Sequence, residues 1–178
     1  ITELPLEMAN PFIPDEMAKM SGRLEGNVTI SGRSLTPQTE GFLQMDSASV
    51  FVGAAGSTYR FDKKKLEIKN NRLLFSNYNL YAYGKNPFVI NGDINLSDPS
   101  RMLANLKLDA ENLQLVDVKR NKESLVYGKL FVNMNSTLRG PLDALTMRGN
   151  LQVLGNTDLT YVMKDSPLTV QDRLADLV

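Results

Sequence analysis

The sequence predicts an all-β fold, and three observations carry the prediction. Apolar and polar residues alternate with period two through most of the chain. Turn-forming residues interrupt the alternation at short intervals, as they do in all-β domains. Stripes with helical period are nearly absent.

Each segment follows from this pattern. One spelling, glycine-x-apolar-x-apolar, occurs five times: Gly26-Asn27-Val28-Thr29-Ile30, Gly41-Phe42-Leu43-Gln44-Met45, Gly92-Asp93-Ile94-Asn95-Leu96, Gly128-Lys129-Leu130-Phe131-Val132 and Gly149-Asn150-Leu151-Gln152-Val153. Shorter alternating runs lie between and after these blocks, at Tyr59/Phe61, Leu66/Ile68, Leu73/Phe75, Leu106/Leu108, Leu113/Leu115, Leu142–Met147 and Leu159/Tyr161/Met163. Lys69-Asn70-Asn71-Arg72 fits a two-residue hairpin, because asparagine tolerates positive φ. Gly84-Lys85-Asn86-Pro87, Arg120-Asn121-Lys122 and Arg139-Gly140-Pro141 are further breakers, and residues 52–57 form a looser glycine-rich loop. The 16 asparagines suit a chain that turns often.

Two helices are expected. Pro14–Met20 opens with proline and two acids and stops before Ser21-Gly22. Near the C-terminus, Ser166-Pro167 caps a segment with Val170, Leu174, Leu177 and Val178 on one face. The expected organisation is a short helical or irregular preface at 1–21, a β-strand array at 22–163, and a truncated linker or helix at 164–178 leading into a missing C-terminal part. Val50-Phe51-Val52, Leu73-Leu74-Phe75 and Leu130-Phe131-Val132 are apolar on both faces, so they require an outside cover, such as the N-terminal helix. A single curved sheet, two sheets closed like a folded leaf, and a conventional sandwich all fit the periodicity.

Composition narrows function. The chain has 178 residues, with 20 basic and 20 acidic side chains. Zero net charge argues against nucleic acid and against polybasic attachment to anionic lipid heads. Histidine and cysteine are absent, which removes Ser-His-Asp triads, thiol nucleophiles and His/Cys zinc sites. No apolar run is long enough to span a bilayer as a helix. Asp46, Asp62, Asp93 and Asp98 stand singly at strand ends without a calcium-loop motif, so turn and cap roles are expected and no metal or cofactor is. Lys63-Lys64-Lys65 reads as a solvated turn or edge that deters pairing. Phe75, Tyr78, Tyr81, Tyr83 and Phe88 read as strand packing rather than a sugar platform. The Asn-x-Ser/Thr tripeptides at Asn27, Asn95 and Asn135 are short enough to arise by chance. The irregular intervals between the glycine blocks argue against a solenoid enzyme acting on polysaccharide.

The order of these blocks resembles a known family. Gly22–Gly32, Pro37 and Gly41–Met45 are similar to the strand–Gly–Pro loop–Gly–strand repeat of the C-terminal domain of TamB, the translocation and assembly module protein of the AsmA-like group. Tyr59-Arg60-Phe61-Asp62 with Leu66-Glu67-Ile68 is a second block. Leu74–Tyr81 running into Pro87–Gly92 is a third, and Gly128–Leu130, Arg139–Asp143, Gly149–Leu154 and Thr157–Tyr161 complete the resemblance. It covers about residues 20–163, in the spelling of Bacteroidetes-type members.

The resemblance implies an elongated, curved antiparallel sheet folded into a taco-like trough in a non-enzymatic periplasmic protein. That protein would be anchored to the inner membrane by a segment absent here. Its implied role is phospholipid transport between inner and outer membranes, outer-membrane protein assembly, or both. The implied partners are phospholipid acyl chains and, through parts outside this chain, an outer-membrane insertase-type barrel. Leu24, Val28, Ile30, Leu43, Met45, Ile94, Leu130, Val132, Leu151 and Val153 are then the groove lining; in a closed domain they would be core. The alternative is a cell-surface β-sandwich module that binds glycan or protein.

Overall fold

A computed structural model describes residues 3–12, 18–33, 36–52, 57–120 and 126–162. Its strands are β1 (Leu4–Pro5), β2 (Ala18–Arg33), β3 (Thr36–Val52), β4 (Ser57–Phe61), β5 (Lys65–Lys69), β6 (Arg72–Tyr81), β7 (Pro87–Asn95), β8 (Leu103–Val118), β9 (Val126–Pro141), β10 (Thr146–Val153) and β11 (Asp158–Tyr161). A 3-10 helix, Leu6–Phe12, follows β1. All eleven strands belong to one antiparallel sheet of order β1-β2-β3-β4-β6-β7-β8-β9-β10; β5 bridges β3 and β6, and β11 pairs with β9. The all-β class stands, with no α-helix among the described residues.

Two long strands organise the sheet. On one side β3 pairs with β2 from Thr36 to Val52. On the other it pairs with β5 through Gly41–Gln44 and with β4 through Ser49–Val52. In the same way β9 pairs with β8 on one side and with both β10 and β11 on the other. Bulges fall where the long strands bend, at Ser21/Arg23, Phe75/Tyr78, Ala110/Leu113 and Gln114/Val116. An extra residue at such points raises the local twist and coils the sheet. At Gly41, φ is +142°, and a Cβ would collide with the carbonyl oxygen of Asn27 on the facing strand. Only glycine allows that approach.

Coiling brings distant strands together. β4 and β8 are not hydrogen-bonded as strands, yet Ser57 Oγ and Tyr59 OH both donate to the carbonyl of Leu115, at 3.2 and 3.4 Å. The Tyr59 and Phe88 ring centroids lie 6.0 Å apart. Tyr59, Ala82, Ala110, Leu113 and Val132 form the buried cluster there, with Val50, Leu80 and Leu130 packed against it. Completely burying a side chain such as Leu113 contributes about 2 kcal/mol. The sheet therefore folds over its own apolar face rather than packing against a second sheet.

Several local expectations change. Ala18–Met20 open β2 instead of closing a helix; Pro14–Met17 lie outside the described residues. Ala18 and Met20 pair with Val52 and Val50, so ladder bonds and an apolar face outweigh the small helical gain of so short a segment. The boundary expected at residue 21 moves accordingly, and β1 adds to β2 at Leu24 and Arg23. The 3-10 helix docks on β2 through Asn10, which bonds both N–H and C=O of Met20 (2.7 and 2.9 Å), and through Glu7, which accepts from Gly22 N–H. Leu142–Leu145 form a turn region rather than a strand. The C-terminal helix expected at 166–178, loop residues 53–56, and Asn121 and Lys122 lie outside the described residues.

Asn70 and Asn71 both take positive φ (50° and 59°), as the two-residue hairpin requires. Asn71 also ties this tip to β3: its Oδ1 accepts from Thr39 N–H and its Nδ2 donates to the Pro37 carbonyl.

Candidate functional site

Directly opposed residues in an antiparallel ladder project to the same side, so register alone assigns faces. Leu24 opposes Met45, Gly26 opposes Leu43, and Val28 opposes Gly41. Leu43 and Gly41 oppose Leu66 and Ile68; Ile68 opposes Leu73; Leu73 opposes Ile94; Ile94 opposes Ala104. Ala104 opposes Gly140, and alternation back along β9 brings Leu130 and Val132 to that side. Val153 opposes Val132, and Leu151 opposes Met134. Ile30 lies two residues beyond Val28. All ten predicted lining residues therefore share one face.

Their environments differ. Val132 is fully buried, whereas Ile30, Val153 and Leu151 are 72%, 56% and 53% exposed. Leu24, Val28, Leu43, Met45, Ile94 and Leu130 are half-buried. The face is sealed where the sheet folds over and bare toward two borders. One border is β2, exposed from Thr29 to Arg33, and the other is β10, which is exposed along its whole length. Met147, Leu159 and Tyr161 extend the bare region.

By this register, no Asp, Glu, Lys or Arg holds a strand position on the apolar face among the described residues. Charged residues lie on the other face or at turns. Arg23–Asp46 (3.1 Å), Arg72–Asp93 (3.2 Å) and Lys107–Asp109 (3.1 Å) are ion pairs of the outer face. The hydrogen bond from Arg23 holds the Asp46 carboxyl below the usual carboxylate range. Asp98 closes a turn by accepting from Ser100 N–H and Oγ, and that contact lowers its pKa. Asp62 accepts from Lys64 N–H. Asp62 and Asp98 thus take the expected turn roles. Asp46 and Asp93 lie within β3 and β7 and pair across strands with Arg23 and Arg72 instead, because the register sets Arg23 opposite Asp46 and Arg72 diagonally across from Asp93. Among the described residues no three His, Cys, Asp or Glu side chains gather as metal ligands would.

The aromatic side chains are mostly structural. Tyr78 is buried against Phe75 edge-on, and its hydroxyl donates to the Asp62 carbonyl at 2.7 Å. Burial, with the Asp62 charge adding, pushes its phenol well above the ordinary value. Lys64 pairs with Asp62, Lys63 with Asp46, and Lys65 lies 4.2 Å from the centroid of the Phe42 ring.

Leu66, Ile68, Leu106 and Leu113 are not among the lining residues expected from sequence, although they share the face and are buried. Their alternation was legible, but no glycine opens their runs. Ser57 and Ser136 were not legible as buried positions. Ser136 Oγ has no hydrogen-bond partner among the described residues. A Cβ added to the opposing Gly149 would strike Ser136, so the pair is packed as small against small.

No family model matches the chain. No solved structure matches it. An extracellular elastase of Staphylococcus epidermidis is 25% identical over 184 residues, covering 93% of this chain and 36% of its own length. The extracellular elastase of Staphylococcus epidermidis strain ATCC 12228 / FDA PCI 1200 is 25% identical over 177 residues, covering 89% of this chain and 34% of its own. The chain thus spans about a third of the length of the curated relatives it matches.

Proposed function

We propose that this chain is a non-enzymatic segment of a TamB-like envelope protein of the periplasm. Its apolar sheet face acts as a trough for phospholipid acyl chains moving between inner and outer membranes, in outer-membrane protein assembly, or in both. An insertase-type outer-membrane barrel would be met through parts of the protein outside this chain. The observation that carries the reading is the uncharged face running across the whole sheet and left bare at β2 and β10. Acyl chains leaving water for such a surface gain about 0.8 kcal/mol per buried CH₂, and the contact is non-directional. The relatives are extracellular proteins by name, which accords with an exported chain.

The test is photo-crosslinking in cells from a probe at position 153 of the full-length protein, with and without Leu151→Glu. Leu151 is half exposed, so the carboxylate reaches water and the fold should survive while lipid adducts fall. Absence of lipid adducts from positions 30, 151 and 153 alike would refute the conduit. A second reading, favoured by the relatives' name, elastase, makes the chain a non-catalytic third of an exported protease. Elastin hydrolysis by the full-length protein, with no lipid adducts, would select it.

A further inference from the structure

The opposite, polar face carries a cleft that the conduit reading does not use. It has a volume of about 590 Å³ and is lined mainly by amides and carboxylates of β8, β9 and β10. A smaller cleft of about 380 Å³ continues it over β6 and β7, sharing Asp109 and Glu111.

Two bulges shape this surface. Asn77 and Asn112 each take positive φ at a bulge (46° and 44°). Each has its N–H capped by an asparagine of the neighbouring strand, Asn91 Oδ1 and Asn133 Oδ1, both at 2.8 Å. These caps hold the two amides at the bulges, and Asn133 Nδ2 also donates to Gln152 Oε1 on β10 at 3.5 Å. Asp109, Asn135 and Asn150 form one cross-strand row between the bulges and the β10 border. Asn135 Nδ2 donates to Asp109, leaving the Asn135 carbonyl as an acceptor. Asn150 and Glu111 make no side-chain hydrogen bond among the described residues. The cleft thus offers donors and acceptors side by side, held on rigid strands.

We propose that this outer-face cleft binds a neutral, hydroxyl-rich oligosaccharide. Hydroxyl groups both donate and accept, which matches a mixed set of amides and carboxylates. Glu111 disfavours an anionic ligand, and Lys107 pairs with Asp109 at 3.1 Å, so a polycation gains little from Asp109. The lining runs from Asn77 on β6 to Asn150 on β10, four inter-strand steps or about 19 Å. That is the reach of a short oligosaccharide rather than one sugar ring. Leu154 supplies an apolar contact at one end, and no aromatic platform is present, so the affinity is modest, with a Kd on the order of 1 mM.

The experiment is saturation-transfer NMR of the full-length protein with cellopentaose, maltopentaose, chitopentaose and mannopentaose. At least one should bind. Asn150→Ala and Gln152→Ala, both exposed, should each weaken it roughly tenfold without changing the melting temperature; Gln152 Oε1 accepts from Asn133 Nδ2 at 3.5 Å, but that contact is exposed and its loss leaves the Asn133–Asn112 cap in place. Leu151→Ala, on the opposite face between them, should leave binding unchanged. The proposal is overturned if none of the four binds at about 10 mM. It is equally overturned if binding survives both Asn150→Ala and Gln152→Ala, or falls with Leu151→Ala alone. Lipid adducts on the other face do not enter this test, so either proposal fails independently of the other.

Discussion

Val132 and Val153 oppose each other across β9 and β10, on the same face, with the same side chain. One is fully buried and the other 56% exposed. Truncating each to alanine removes the same two methyl groups, so the comparison isolates burial from chemistry. At Val132 the loss combines transfer free energy with a residual cavity beside Leu113 and Tyr59, about 2–3 kcal/mol. At Val153 more than half the surface is already in water and a border strand collapses easily, so the loss should stay under about 1 kcal/mol. With a urea m-value of about 2–3 kcal/mol/M, Val132→Ala lowers the midpoint by about 1 M and Val153→Ala by a third of that or less. Equilibrium urea unfolding followed by circular dichroism reads both values. Equal losses at dilute protein would mean that β10 is covered in solution and would refute the bare border. A loss below about 1 kcal/mol at Val132 would refute the folded-over core.

Further outcomes follow from single contacts. Ser136→Ala removes an unpartnered buried hydroxyl and should stabilise the protein by about 1 kcal/mol in the same assay. Gly41→Ala forces a Cβ onto the Asn27 carbonyl at φ +142° and should cost at least about 1–3 kcal/mol, read as a lowered urea midpoint. Asp46 and Asp98 have folded pKa values below their ordinary 3.8. Such groups add stability that is complete above the unfolded value and is lost as pH falls through the folded one. Thermal stability should therefore hold from about pH 7 to 5 and decline below about pH 4, and Asp46→Asn should flatten that decline.

Strand content and the identity of the apolar face were legible in the sequence. Alternation such as Leu24/Gly26/Val28/Ile30 encodes a face wherever a strand forms, and the Asn70-Asn71 turn sets the register of the β5–β6 hairpin. The curl was not legible. It depends on bulges at Asn77 and Asn112 and on Tyr59 reaching Leu115 across the fold, contacts between residues far apart in the chain. For the same reason Val132 and Val153 read alike as letters of one pattern while their surroundings differ completely. The difference at Ala18–Met20 has a local cause. Pro14-Asp15-Glu16 carries helix-start chemistry, but Ala18 and Met20 meet Val52 and Val50, and that pairing decides their conformation. The outer-face cleft is not legible in the sequence because its asparagines suggest turns, and several of them do serve the bulges.

The order of strands in the sheet nearly repeats their order in the chain; β5 bridges its neighbours, and β11 returns to β9 beside β10. Each new strand finds its partner on an edge made by a strand just before it, so no early strand must wait for a distant one. Low loop-closure cost at each step favours progressive growth from one end. A polypeptide delivered vectorially can lay down β2 and β3 first, then extend the sheet one hairpin at a time. At any moment the exposed ladder is confined to the growing edge and to the starting edge of β2 beyond Leu24, which limits the unpaired surface open to aggregation during assembly.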